Sequence, residues 1–223
     1  MYTMSLYESG DSTGDVSLTD LFEENVKNKL LEKVQLQTIA NLIVRGGWPE
    51  TIDISIDGAR RITRSYLKAV IEQDISEIDG IKRDKNKMEM LLRSLARNES
   101  TISSNSVLIR DIADNSTEEK ITVSRNTVAE YLDVLDRLHL IENQKSFMYK
   151  IRSKSNVGKN SKRHFTDPSL GCAALNITPE KLLKDLNTFG FYFEALCERD
   201  LRIYAENIGG NLYHYRDNNT GLE

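Results

Sequence analysis

Apolar positions recur at helical spacing along most of the chain. Phe22, Val26, Leu30 and Val34 repeat every four residues, and Leu36, Ile39 and Ile43 continue at a shifted phase. With Ser17 or Thr19 as the cap, this predicts one amphipathic helical stretch. It stops at Arg45-Gly46-Gly47-Trp48-Pro49, where two glycines end the helix and Pro49 keeps it from resuming. A second helix is predicted from about Gly58 to Asp79. One row holds Ile62, Tyr66 and Val70, another Leu67, Ile71, Ile75 and Ile78, and Gly80 closes the helix.

From Asp84 the period continues. Met88, Leu91, Leu92 and Leu95 suit a core-facing helix, and Val107, Leu108, Ile109, Ile112 and Ala113 a short one ending at Asp114-Asn115-Ser116. Ser124 caps a longer helix carrying Val128, Leu132, Leu135 and Leu138. Ile141 to Tyr149 and His164-Phe165 then read as two strands around a polar loop. Helix, short helix, turn, longer helix and hairpin is the order of a winged helix-turn-helix. Asp167-Pro168 breaks the hairpin. Thr178-Pro179 starts a further helix, and Gly190 opens another with Phe193, Leu196, Leu201 and Tyr204 inward. Gly209-Gly210 is a turn, and Leu212 to Tyr215 reads as a strand that needs a partner.

Composition narrows the function. Thirty Lys and Arg against 34 Asp and Glu give a net charge of -4, which excludes a uniformly basic nucleic-acid binder. No run of eighteen apolar residues exists, so no membrane span is expected, and the opening residues lack the pattern of a signal peptide. Two cysteines make no disulfide framework, and a cytoplasmic location is the expectation. Charge is unevenly spread. Residues 1–24 carry six acids and no Lys or Arg. From Ile141 to His164, Lys145, Lys150, Arg152, Lys154, Lys159, Lys162 and Arg163 face Glu142 alone, a net of +6 against -10 for the remainder. Such cations meet phosphates. With Arg125, Asn126 and Thr127 at the start of the preceding helix, they are the candidate nucleic-acid contacts. Glu130, Asp133 and Asp136 further along that helix would repel DNA. The competing reading is a solvated basic loop that balances acids elsewhere.

No phosphate-binding loop of the form G-x-x-x-x-G-K-[ST] is present, and His139, His164 and His214 have no metal-ligand spacing with each other or with the cysteines. Glu194, among the aromatic residues of Gly190-Phe191-Tyr192-Phe193-Glu194, is the one acid that a catalytic reading singles out.

Several of these pieces together resemble a prokaryotic family of AAA-type ATPases. They are Arg45-Gly46-Gly47-Trp48-Pro49-Glu50, Tyr66 with Asp74, and Thr127, Tyr131-Leu132 and Leu135 with Leu140-Ile141. Phe165-Thr166-Asp167-Pro168 with Leu170, Gly190 with Phe193-Glu194, and Tyr215-Arg216-Asp217 with Gly221-Leu222-Glu223 complete the set. The chain is similar to the C-terminal domain of unknown function that follows the ATPase core in that family, and Thr3 to Glu8 resemble the segment just after the core. The fold expected from these elements is mainly α with a small β component (α+β), and the resemblance implies a winged-helix middle and a C-terminal part similar to the restriction-endonuclease-like fold. It divides the chain into an N-terminal helical region over 1–83, a winged helix-turn-helix over 84–166 and the start of a truncated restriction-endonuclease-like part over 167–223. Of that fold's metal-binding residues only Glu194 is matched. The expectation is therefore a non-catalytic accessory module with no cofactor of its own, ATP and Mg belonging to the full-length parent. Its candidate partners are DNA, the parent's ATPase domain, and a protein partner or a second copy, without a membrane. The alternatives are a fragment of a metal-dependent nuclease and a protein-interaction or oligomerisation module.

Overall fold

The computed structural model describes residues 2–25, 33–114, 123–147 and 161–215. Among these residues the chain is mainly helical with one two-stranded sheet. The N-terminal stretch is not one helix. α1 (Leu18–Phe22) is five residues long, capped by the Ser17 side chain on Asp20 N, and Glu24 at φ 56 follows it. α2 (Leu36–Arg45) carries Ala40, Ile43 and Val44 into the core, whereas Phe22 and Val34 are exposed. Val26 and Leu30 lie outside the described residues. Short helices hold only where packing supports them, and α1 has no buried residue.

α3 (Ile56–Ala69) starts two residues before Gly58, because Ser55 accepts a hydrogen bond from Gly58 N. It runs through a π-helical turn at Val70–Asp74 into α4 (Ile75–Glu77). The wider turn shifts the helix face, and Leu67, Val70, Ile71 and Ile75 all reach the core.

The next segment follows the order expected from the sequence. α5 (Lys85–Arg97), capped by Asp84, buries Met88, Leu91, Leu92 and Leu95. α6 (Asn105–Asp114) adds Leu108 and Ile112, and α7 (Arg125–Arg137), capped by Ser124, adds Val128, Leu132 and Leu135. His139 at φ 55 turns the chain into β1 (Ile141–Gln144). β1 pairs antiparallel with β2 (Lys162–Phe165) in the register Ile141↔Phe165 to Gln144↔Lys162. Thr101 bridges the free side of β2 through Arg163, and His214 forms a parallel bridge to Ser146 just past β1. The segment Leu212 to Tyr215 thus finds its partner beside β1.

Asp167-Pro168 does more than break the hairpin. Asp167 caps, and Pro168 begins, α8 (Pro168–Leu175), a helix not expected from the sequence. α9 (Pro179–Lys184) starts at Thr178 as expected. α10 (Leu186–Asn207) begins under an Asp185 cap, so Gly190 lies inside it. Leu196 is buried as expected, but Phe193 and Leu201 are exposed, and Phe189, Tyr192 and Ala195 are buried in their place. Apolar residues cover every side of this stretch of α10, so their period does not select a face. Packing against α2, α8 and α9 does. α8 serves two apolar clusters: Leu170 joins the one built by α3 to α7 and the hairpin, and Cys172 joins the one built by α2, α9 and α10. Among the described residues no helix is long and apolar enough to cross a membrane.

Candidate nucleic-acid interface

The start of α7 presents Arg125 and Asn126 to solvent. Thr127 is half-buried; its N–H donates to Ser124 Oγ at 3.0 Å, and the two hydroxyl oxygens lie 2.9 Å apart. The acids further along α7 are partly engaged. Glu130 lies 3.1 Å from Arg83, Asp133 lies 3.9 Å from Arg137, and Asp136 accepts from Asn143 Nδ2 at 3.2 Å. Arg83 also hydrogen-bonds Asp79, which is held down at about 2.

The cations of the hairpin divide into two kinds. Lys145 is exposed. Lys150, Arg152, Lys154 and Lys159 lie outside the described residues. Lys162 and Arg163 belong to the same run of cations but are built into the fold. Strand alternation turns Lys162 toward α10, where it is only 5% exposed and its Nζ pairs with Glu194. Arg163 donates to Ser103 O at 2.7 Å and to Asn105 Oδ1 at 2.8 Å, and burial lowers its guanidinium pKa. Both anchor the hairpin, one to α10 and one to the start of α6. Glu194, the candidate acid, is thereby neutralised by a lysine. Among the described residues no group of three or more His, Cys, Asp or Glu could hold a metal ion.

The motif residues of the sequence meet elsewhere, in a buried ionic clasp. Asp167 is fully buried, and its Oδ2 accepts from Thr3 Oγ1 at 2.8 Å, Gly47 N at 2.9 Å and Arg199 Nη1 at 2.9 Å. Its Oδ1 accepts from Ser169 N at 2.9 Å. Burial alone would raise the Asp167 pKa; the Arg199 charge and the hydrogen bonds from Ser169 and Gly47 outweigh it and hold the carboxyl below its ordinary value. Arg199 also donates to Asp200, which accepts from Leu6 N. The two glycines answer to space. A Cβ on Gly46, at φ 73, would stand 2.4 Å from Ser169 Oγ, and one on Gly47 would stand 2.1 Å from Met4 O. Trp48 Nε1 donates to Ser169 Oγ at 2.9 Å, and Arg45 pairs with Asp11 at 2.5 Å. Arg45 to Trp48 and Asp167 therefore tie the N-terminal segment, α2, α8 and α10 together. Spacing along the chain gave no sign of Thr3, Ser169 or Arg199 in this role.

A second buried polar group lies under the hairpin. Ser100 Oγ and Glu99 Oε1 approach the same His164 nitrogen, Nδ1, at 3.3 and 3.4 Å, and Nε2 faces Gln144 at 3.3 Å. A nucleophile–base–acid relay needs its outer members on opposite nitrogens and an accessible hydroxyl. Ser100 is only 1% exposed and donates to Phe191 O, so the group is structural. Burial raises the Glu99 pKa, with His164 opposing it.

A family model described as a domain of unknown function, DUF8612, matches residues 36–181, from the first residue of α2 into α9. No curated protein and no solved structure matches the chain. The matched span is well over half of the sequence and contains both Gly47 and Asp167 of the clasp, as well as α5 to α7 and the hairpin. The chain belongs to the DUF8612 family.

Proposed function

We propose that this chain is a non-catalytic, nucleic-acid-contacting accessory module, in which α5, α6, α7 and the β1–β2 hairpin act as a winged helix-turn-helix. On the resemblance drawn from its motifs, it serves an AAA-type ATPase, and ATP and Mg belong to that core. One observation carries the reading. The exposed start of α7, with Arg125 and Asn126, belongs to the same three-helix unit as a hairpin whose connecting sequence holds Lys150, Arg152, Lys154 and Lys159 and no acid. Cations there meet phosphates and position the protein without reading sequence.

Binding of DNA, both as a duplex and as a single strand, followed by fluorescence anisotropy across a salt series, tests it. Affinity falls steeply with salt, and Arg125→Glu or Lys145→Glu weakens binding to all sequences alike. Absence of binding at low salt overturns the reading.

A second reading, docking of a protein partner, is supported by the outer stripe of α10. Leu186, Phe193, Leu201 and Ile208 recur there at helical spacing and are exposed. An assembly that persists in high salt and is lost in Phe193→Glu would favour it.

A further inference from the structure

We propose that the open end of the hairpin, past Gln144, is a base-stacking platform for single-stranded nucleic acid, formed by Phe147, Tyr213 and Tyr215 with Lys145 beside them. The proposal rests on the nucleic-acid reading above and deepens it: it names which strand form is bound and which rings hold it.

The platform follows from the parallel bridge. Phe147 N donates to His214 O at 2.7 Å, and His214 N donates to Lys145 O at 3.0 Å. Side chains alternate across a sheet. Ser146 and His214 therefore share the face of Gln144 and Lys162, which α10 covers through Glu194. Lys145, Phe147, Tyr213 and Tyr215 share the opposite face, past the end at which Ile141 and Phe165 enter the core. There Phe147 and Tyr213 meet edge to face with ring centroids 6.1 Å apart. The three rings are 46%, 45% and 47% exposed. Three half-open aromatic rings on one short β-face leave apolar area in water that an intramolecular fold would normally cover.

Charge selects the occupant. Lys145 stands on the same face, and the thirteen residues that follow Phe147 in the sequence, 148–160, carry four cations and no acid. The nearby acids are engaged: Glu142, which lines one cavity with Lys145 and Tyr213, pairs with Arg202 at 2.6 Å, Glu206 of the same cavity accepts from the Tyr2 hydroxyl at 2.5 Å, and Asp136 accepts from Asn143. Rings beside Lys145, in a hairpin whose connecting sequence is cationic, suit a polyanion whose units carry flat faces. In a duplex those faces are stacked on each other and unavailable. In a single strand they are free, and stacking on an aromatic side chain tolerates any base.

The test uses the full chain and three labelled probes in anisotropy titrations: an oligothymidylate of about sixteen nucleotides, an abasic strand of the same length and charge, and a duplex. Oligothymidylate binds about tenfold or more tighter than the abasic strand. Phe147→Ala lowers oligothymidylate affinity about tenfold and leaves the salt slope unchanged, whereas Phe147→Tyr, which keeps the ring, binds as the parent does. Equal affinity for the oligothymidylate and abasic strands, with Phe147→Ala neutral, overturns the stacking platform and leaves phosphate contact standing. Duplex binding that exceeds single-strand binding and is insensitive to Phe147 also overturns it. No binding of any probe overturns both readings.

Discussion

Asp167 and Arg199 form an ion pair of 2.9 Å in a site where the two side chains are 0% and 2% exposed. A buried pair is weak support for stability as a whole, but removing one member strands the other charge away from water. Asp167→Asn keeps the shape and removes the charge, and its single carbonyl oxygen keeps either the Ser169 or the Gly47 hydrogen bond, which reach different oxygens of Asp167. Asp200 still faces Arg199, so the cost falls at about 3 kcal/mol. Urea denaturation measures it, and a loss below about 1 kcal/mol would count against a charge-dependent clasp.

Gly47→Ala places a methyl group where Met4 O already stands. Backbone cannot rotate away as a side chain can, so about 2–3 kcal/mol of stability goes with it. The hydrogen bond from Met4 N to Gly47 O loosens as well. Limited proteolysis should therefore cut the variant before α1 far sooner than the parent. Unchanged cleavage would show that the segment is held by other contacts.

Two of the buried carboxyls, Glu99 and Asp167, give opposite pH dependences. The Glu99 pKa is raised above 4.5 in the fold, so the folded state binds its proton more tightly and stability declines as pH rises through that raised value. The Asp167 pKa is lowered below 3.8, so its contribution is present above the ordinary range and disappears as pH falls through the lowered value. Glu99→Gln removes the first dependence and keeps the second. Denaturation of both proteins from about pH 3 to about pH 8 should give slopes that differ above pH 4.5 and agree in acid. Parallel curves throughout would refute the assignment to Glu99.

Lys162 and Lys145 are both cations of the hairpin, yet they differ in what they touch. Lys162→Gln detaches the hairpin from Glu194 and costs about 1 kcal/mol, reduced by the half-open position of the carboxylate. It leaves the salt slope of DNA binding unchanged. Lys145→Glu does the reverse: stability holds and the slope falls. Calorimetric melting beside the salt titration separates the two, and a shallower slope in Lys162→Gln would place that lysine at the phosphates.

Much of the helical order was legible because the relevant signals are local. Ser124 and Thr178 announce α7 and α9 by capping, and Met88, Leu91, Leu92 and Leu95 repeat at the spacing of one buried face. α8 escaped notice because Pro168 to Cys172 are buried on all sides, which leaves no polar face and hence no period. On α10, Leu196 is buried as its spacing implied, whereas Phe193 and Leu201 are exposed, because apolar residues there lie on every side and packing, not period, selects the face. At the candidate interface, Arg125, Asn126 and Lys145 are exposed as their sequence neighbourhood implied. Lys162 and Arg163 depended on partners 32 residues downstream and 58 residues upstream, at Glu194 and Asn105, and charge counting along the chain does not see such pairings. The motif Arg45-Gly46-Gly47-Trp48 was visible as a signature, but its work, closing space around Asp167, became readable only once residues 120 positions apart were in contact.

α8 contributes Leu170 to one apolar cluster and Cys172 to the other. Neither half can therefore melt while its neighbour stays intact, since each would lose a wall. Heating should take the protein apart in one cooperative step, with no long-lived species in which the hairpin half survives alone.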